Sequence, residues 1–306
     1  ALGDTSIIPV TKEFSAQRNT VTFTLAQKTK VGHKYSIEGT VADDNGNTLT
    51  FSIPFSGYNS DIPKLIISEI RNAYSSSTDK TTGSKKYKCE FIELFSLTGG
   101  NLSGVEVLSA ADGEDRRYVF PSCEINAGEY IVVHLRSKEE GCVDETDGNL
   151  TLSYATDSCD TARDFWAAND KACLGNSDAV VVRDGNTGEV IDAVLFAQST
   201  AAEWADGFAE LLSAVEQSGI WVDEDGNASC AIQSAFVCDG ITSSAATRTM
   251  SRQNVLQSYN AFCADNDTAV TDSADQWIVT ANKGSSKNKQ PGDTPGFVNS
   301  TNVYVK

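Results

Sequence analysis

The sequence predicts an all-β protein organised as a β-sandwich. Short runs rich in Val, Ile, Thr, Phe and Tyr alternate apolar with polar residues at period two. Clusters of Gly, Asn and Asp separate the runs as tight turns, and roughly six to eight short strands of this kind follow residue 61. Hydrophobic residues are 40 % of the 306, with 13 Phe, 9 Tyr and 4 Trp, which fills a sizeable core and excludes a disordered chain.

Charge narrows the partners. The 24 Lys and Arg against 42 Asp and Glu leave a net −18, an anionic surface that repels phosphate backbones. A nucleic-acid partner is therefore not expected. No apolar run approaches the ~20 residues needed to span a bilayer. The chain begins with Ala1 instead of Met, so an upstream segment is expected to be removed or absent from this chain, and an export signal or lipid anchor is one form it can take.

Residues 1–60 form a small β-rich segment. Val21, Phe23 and Leu25 share one face, and Tyr35, Ile37 and Val41 mark a second strand with an irregularity at Gly39. Gly46-Asn47-Thr48, after Asp43-Asp44-Asn45, supplies residues that tolerate the positive φ of a hairpin. The same oxygens also suit Ca²⁺, the turn being the plainer reading. The stretch from Lys30 to Phe51 resembles the closing strands of bacterial immunoglobulin-like surface domains. Gly57 to Asp61 then reads as a linker ending at Pro63.

Residues 61–306 form the second unit. Leu65-Ile66-Ile67 and Phe91 to Phe95 are continuous apolar runs, as expected of strands covered on both faces. Gly99-Gly100-Asn101 breaks the pattern before Val105 and Val107 alternate again. Asp112-Gly113 turns the chain back into Tyr118-Val119-Phe120, and Ala127-Gly128 turns it into Tyr130 to Leu135. Ala179 to Val182 and Val190 to Phe196 flank Asp184-Gly185-Asn186-Thr187-Gly188, a hairpin signal, and Trp277-Ile278-Val279 forms a last strand.

In this order the runs resemble the lamin tail domain. Glu69 stands at the acidic residue after its first strand, Glu93 in its EFIEL strand, and Leu102-Ser103-Gly104 at its LSG turn. Val105 stands where the family usually has an aromatic. Gly128 matches a turn glycine, Asp192 the aspartate of the late hairpin, and Thr294-Pro295-Gly296 the closing TPG. The resemblance implies an immunoglobulin-like β-sandwich, found in secreted or surface proteins of bacteria, where it accompanies nucleases, phosphatases or adhesive modules. The junction around Gly57 to Ile70 is also similar to spirochaete surface proteins.

Two stretches depart from that family, residues 137–172 and 197–275. The first is acidic and carries cysteines. In the second, Thr200-Ala201-Ala202-Glu203 is a capping box, and Trp204, Phe208, Leu211, Leu212 and Val215 recur at helical spacing. One inserted helix is predicted, running to Gln217 and stopping at Gly219.

Little of the sequence carries catalytic chemistry. No GxSxG, HExxH, P-loop or GxGxxG motif occurs. The two histidines, His33 and His134, are remote in sequence and read as a residue of a polar turn and a packed or surface residue of a strand. No catalytic residue is expected. Glu69 and Glu93 lie within apolar strands, where a carboxylate must find donors or a cation, and they are read as structural carboxylates. Asp223, Asp225 and Asn227 alternate as at the start of an EF-hand loop and are the candidate Ca²⁺ ligands, although Ala231 and Ile232 stand near the register of its closing Glu. No other cofactor is expected. Lys80, Lys85, Lys86 and Lys88 form a solvated basic cluster.

Eight cysteines without CxxC spacing read as disulfides of an oxidising compartment, with Cys230–Cys238 and Cys142–Cys159 able to close short loops. The expected function is a non-enzymatic extracellular module for adhesion or scaffolding, part of an exported bacterial surface protein that meets protein or carbohydrate at the cell surface. The alternative is an accessory domain of a secreted hydrolase, a nuclease or phosphatase, whose catalytic domain lies outside this chain. A stand-alone hydrolase using carboxylates and Ca²⁺ is the third reading.

Overall fold

The computed structural model describes residues 7–17, 20–111, 113, 117–265, 270–285 and 288–306. The expected turn residue Asp112 lies outside them, while Gly113 beside it takes φ +70°. The chain divides into two units, Ala1–Ser60 and Asp61–Lys306.

The first unit holds two antiparallel hairpins. Strands β1 (Val10–Phe14) and β2 (Val21–Leu25) form one, and β3 (Lys34–Ala42) and β4 (Thr48–Ser56) the other. In the second hairpin Tyr35 faces Phe55, Ile37 faces Ile53 and Val41 faces Leu49, so one face is apolar. The opposite face is a hydroxyl ladder, with Ser36 to Ser52 at 2.8 Å and Thr40 to Thr50 at 3.2 Å. The irregularity expected at Gly39 is absent, since the register runs unbroken from Lys34 to Ala42. A Cβ at Gly39 would lie 2.6 Å from the Phe51 ring, so the glycine makes room for a cross-strand aromatic. The Asp43 turn forms as predicted, its Oδ1 accepting the N–H groups of Asn45 and Asn47 at 2.9 and 2.8 Å.

The second unit begins with β5 (Leu65–Arg71), β6 (Ser75–Thr78), β7 (Lys85–Lys88), β8 (Phe91–Ser96), β9 (Gly100–Asn101), β10 (Val105–Ser109), β11 (Tyr118–Val119), β12 (Glu124–Ile125) and β13 (Tyr130–His134). It continues with β14 (Arg163–Trp166), β15 (Asp178–Asp184), β16 (Val190–Ala197), helix α1 (Ala209–Ser218), β17 (Trp221–Val222), β18 (Phe236–Val237), β19 (Arg248–Arg252), helix α2 (Val255–Ala264), β20 (Asp272–Ser273) and β21 (Trp277–Ala281).

Two sheets make an all-β sandwich. One has the order β11-β10-β15-β16-β18 and the other β14-β13-β8-β5-β19-β21. Val105, Val107, Val180, Val182 and Val194 of the first pack with Leu65, Ile67, Ile92, Leu94, Ile131 and Val133 of the second in one buried cluster. The six-stranded sheet is covered on its outer face too. There Ile66 and Phe95 lie with Val255 and Phe262 of α2, and Phe91 and Val132 lie with Ala162. Cover on both faces is why these strands read as continuous apolar runs.

Both stretches that depart from the lamin tail pattern are woven into the sheets. Residues 137–172 supply β14, which extends the sheet parallel to β13. Residues 197–275 supply β18, parallel to β16, and β19, which pairs with both β5 and β21. Helix α1 ends as expected, at Gly219 with φ +70°. It starts at Ala209, well after the capping-box residues Thr200 to Glu203. The Trp204 indole donates to the Cys230 carbonyl at 2.8 Å and Gly207 sits at φ +94°, which holds that segment out of the helix. A second helix, α2, forms in addition to the one predicted.

Candidate functional site

The site begins with a bulge. Along β5, Leu65 and Ile67 face the core, so strict alternation would send Glu69 inward after them. The pairing with β8 instead shifts between Ile67 and Glu69, passing over Ser68. Glu69 is thereby turned to the outer face and Ile70 to the core, where Ile70 opposes Ile92. The backbone N–H of Ile67, next to the bulge, donates to Asp192 Oδ2 of β16 at 2.5 Å. Asp192, named in the sequence as part of the late hairpin, thus secures the irregular point of the neighbouring strand.

The shift sets Glu69 directly across from Glu93 of β8. Both are fully buried. Glu69 is well supplied with donors. Thr249 Oγ1 reaches its Oε1 at 2.5 Å, Ser251 Oγ the same oxygen at 3.1 Å, and the Thr294 N–H its Oε2 at 2.9 Å. Glu93 has much less. The Gly296 N–H donates to its Oε2 at 2.5 Å, and its Oε1 has no hydrogen-bond partner. Burial pushes the Glu69 carboxyl up to about 7. Burial first, and then the charge of Glu69, push Glu93 well above the usual carboxylate range.

A C-terminal strap, residues 293–299, closes over the pair. Thr294 and Gly296 supply the N–H donors just described, and Asn299 Nδ2 donates to the carbonyls of Ser68 and Arg252 at 2.8 Å each. Gly296 has φ +78°, and a Cβ there would lie 2.5 Å from Thr161 Oγ1 and 2.6 Å from Cys159 Sγ. Only glycine fits. The structure therefore brings together three features that the sequence had singled out separately, Glu69, Glu93 and the Thr294-Pro295-Gly296 turn.

Ion pairs flank the strap. Arg71, fully buried at the end of β5, pairs with Asp157 and, at 3.0 Å, with Asp293; Lys88 also pairs with Asp293. Arg71 donates from Nε to the Cys89 carbonyl at 2.7 Å and lies over the Phe91 ring. His134, expected to be packed or at the surface, is packed. Its Nε2 meets Asp164 Oδ1 at 2.8 Å, its ring stacks on Trp166 at 3.8 Å, and its Nδ1 has no hydrogen-bond partner, with Asp157 Oδ2 3.8 Å away. At 1 % exposure the imidazole offers no surface to a substrate. On the strap's other side Arg252 lies between Asp192 at 3.5 Å and Asp272 at 3.6 Å, all three buried. Arg71, Asp157, Asp164, Arg252, Asp272 and Asp293 carry no motif in the sequence. Arg71 and Arg252 each close a strand, which was the one signal available.

The expected disulfides Cys230–Cys238 and Cys142–Cys159 are not formed. One thiol of each short loop is engaged elsewhere. Cys159 Sγ donates to the Pro295 carbonyl at 3.1 Å, and Cys238 Sγ to the Asn176 carbonyl at 3.3 Å. Burial pushes the thiols of Cys89, Cys230 and Cys238 up to about 12, the opposite of what a thiolate nucleophile needs.

The candidate Ca²⁺ loop is a self-closed turn. Asp223 Oδ1 accepts the N–H groups of Asp225 and Asn227 at 3.1 and 2.9 Å, and Gly226 completes the turn at φ +81°. The side chain read as the first metal ligand is thus engaged by its own backbone. No grouping of three or more metal-binding side chains occurs among the described residues. In the basic cluster Lys86 pairs with Asp79 at 2.9 Å, and Lys85, Lys86 and Lys88 lie on the β6–β7 hairpin.

Residues 63–279 match the model of a family described as a protein second domain, well over half of the chain, and the chain belongs to that family. The chain is also similar to a protein of Treponema pallidum (strain Nichols) described as an uncharacterized protein, 32 % identical over 171 residues. That similarity covers 56 % of this chain and 41 % of the relative, so the chain spans less than half the length of the curated relative it matches. No solved structure matches.

Proposed function

We propose that this chain, as a member of that family, is a non-catalytic binding and scaffolding module of an exported bacterial surface protein, its second unit an immunoglobulin-like sandwich of the lamin tail kind. One observation carries the proposal. The titratable side chains singled out within the sandwich strands, Glu69, Glu93 and His134, are sealed from solvent and committed to the fold. Support for the lamin-tail reading comes from the joint use of Glu69, Glu93, Asp192 and the TPG turn to hold the sandwich together. Export and a cell-surface position rest on the two resemblances to surface proteins.

Recognition then belongs to loops. Residues 137–172 present Val143, Leu152 and Tyr154 outward, Tyr154 at 64 % exposure, and an exposed aromatic flanked by apolar side chains suits a protein or carbohydrate face. The test is binding of the purified chain to immobilised extracellular proteins and glycans, compared with Tyr154→Ser. The expected result is binding that falls tenfold or more in the variant. Binding to none of them, or equal binding by both forms, counts against the reading. The length of the Treponema relative beyond this chain favours keeping the accessory-domain alternative. A catalytic domain elsewhere in the full-length protein would support that alternative.

A further inference from the structure

Two carboxylates facing each other across neighbouring strands, both closed to water, cannot both carry a charge at low cost. The cations nearby do not relieve them. Arg71 is engaged by Asp157 and Asp293, and Lys88 by Asp293. The other charged or titratable groups that bear on the pair are Asp293 on the strap, Tyr130 on β13 and Cys159 in the 137–172 stretch. From β19 come only the hydroxyls of Thr249 and Ser251. The two acids are unequal. Glu69 is solvated by the hydroxyls of Thr249, Ser251 and Thr294 and by a backbone N–H. Glu93 has the Gly296 N–H and the Ser68 hydroxyl to favour its charge, and its Oε1 has no hydrogen-bond partner. The strap supplies a donor to each, so its attachment depends on the charge the pair carries.

We propose that Glu69 and Glu93 are a proton-binding latch for the C-terminal strap: the folded chain keeps a proton on Glu93, and its loss loosens residues 293–299. With a proton on Glu93 the pair bears one charge, placed on the acid that has the donors. Without it, two buried charges repel each other, and the least costly relief is to let water in by lifting the strap. The sign follows. An unfolded glutamate titrates near 4.5, and burial pushes Glu69 up to about 7 and Glu93 well above the usual range, so the folded chain holds more protons in that window. Stability is therefore greatest on the acid side of this window and declines as pH rises through it, by up to about tenfold in the folding constant per pH unit for each proton retained.

The test is an infrared titration of the whole chain, which reads the C=O stretch of a protonated carboxyl apart from carboxylates. It is combined with urea unfolding from pH 5 to 8.5 and with amide exchange of Gly296 corrected for its intrinsic rate. Wild type is expected to show the protonated band at pH 7 and to lose stability as pH rises. Its Gly296 amide should lose protection before the amides of β5 and β8 do. Glu93→Gln is expected to weaken the band by one carboxyl, the buried Asp192 keeping part of it, to flatten the pH dependence and to keep Gly296 protected at pH 8.5, and Glu69→Gln with Glu93→Gln to flatten it further. Absence of the band from wild type at pH 7 overturns the proposal, even if neither variant folds. So does a Glu93→Gln chain with the wild-type pH dependence, or exchange at Gly296 that moves only with the strands.

Discussion

At the scale of single residues, polar side chains in this sandwich act as fasteners. Asp192 holds the N–H beside the β5 bulge, Asp43 and Asp223 close their own turns, and Asp178 accepts from Ser109 Oγ and from the N–H groups of Gly175 and Ala111 at 2.6–3.0 Å. Glu69 and Glu93 belong to this pattern, and the sequence disclosed them because a carboxylate in an apolar strand demands an explanation. Their partners were hidden, since Thr249, Ser251 and Thr294 lie far along the chain. Gly296 gives a sharp prediction at this scale. Gly296→Ala must adopt a left-handed conformation and overlap Thr161 and Cys159. It should cost about 2 kcal/mol or more, lowering the melting midpoint by roughly 5 °C. Calorimetry checks this, and an unchanged midpoint would mean that the strap is not seated as described.

At the scale of elements, what the sequence revealed depended on the pattern each element carries. β8, β13, β15 and β16 were legible because apolar runs ended at turn residues such as Gly128 and Asp184 to Gly188. β19 was not, because Arg248-Thr249-Met250-Ser251-Arg252 presents a single apolar residue to the core and hydroxyls to the strap. α2 was passed over although Val255, Tyr259 and Phe262 recur at helical spacing. The bulge at Ser68 left no signal, since LIISEI reads equally well without it, yet it decides where Glu69 points. Deleting Ser68 should restore strict pairing without turning Glu69, which then follows Ile67 directly and stays across from Glu93 on the outer face. The deletion is expected to keep a cooperative thermal transition in near-UV circular dichroism, at a lower midpoint because Asn299 loses its bonds to the Ser68 carbonyl and hydroxyl. Loss of the cooperative transition would contradict the assigned register.

At the scale of the whole molecule, fold class was the most legible property, because period-two alternation and turn chemistry are local. Disulfide bonding was the least legible, since eight cysteines fix neither distance nor direction. The acidic loops read as Ca²⁺ sites because Asp and Asn at alternate positions serve turns and metals alike. With the Asp223 carboxylate engaged by its own backbone, a chelator should leave the thermal midpoint of the chain unchanged, and a drop in midpoint would reopen the metal reading. The central claim is that the ionisable groups of the sandwich hold it together and perform no reaction. It is tested most directly by incubating the purified chain with a panel of ester, phosphodiester and glycoside substrates at pH 5 to 8. No turnover above the uncatalysed rate is expected, whereas turnover of any class that disappears in Glu93→Gln or His134→Ala chains of wild-type stability would contradict it.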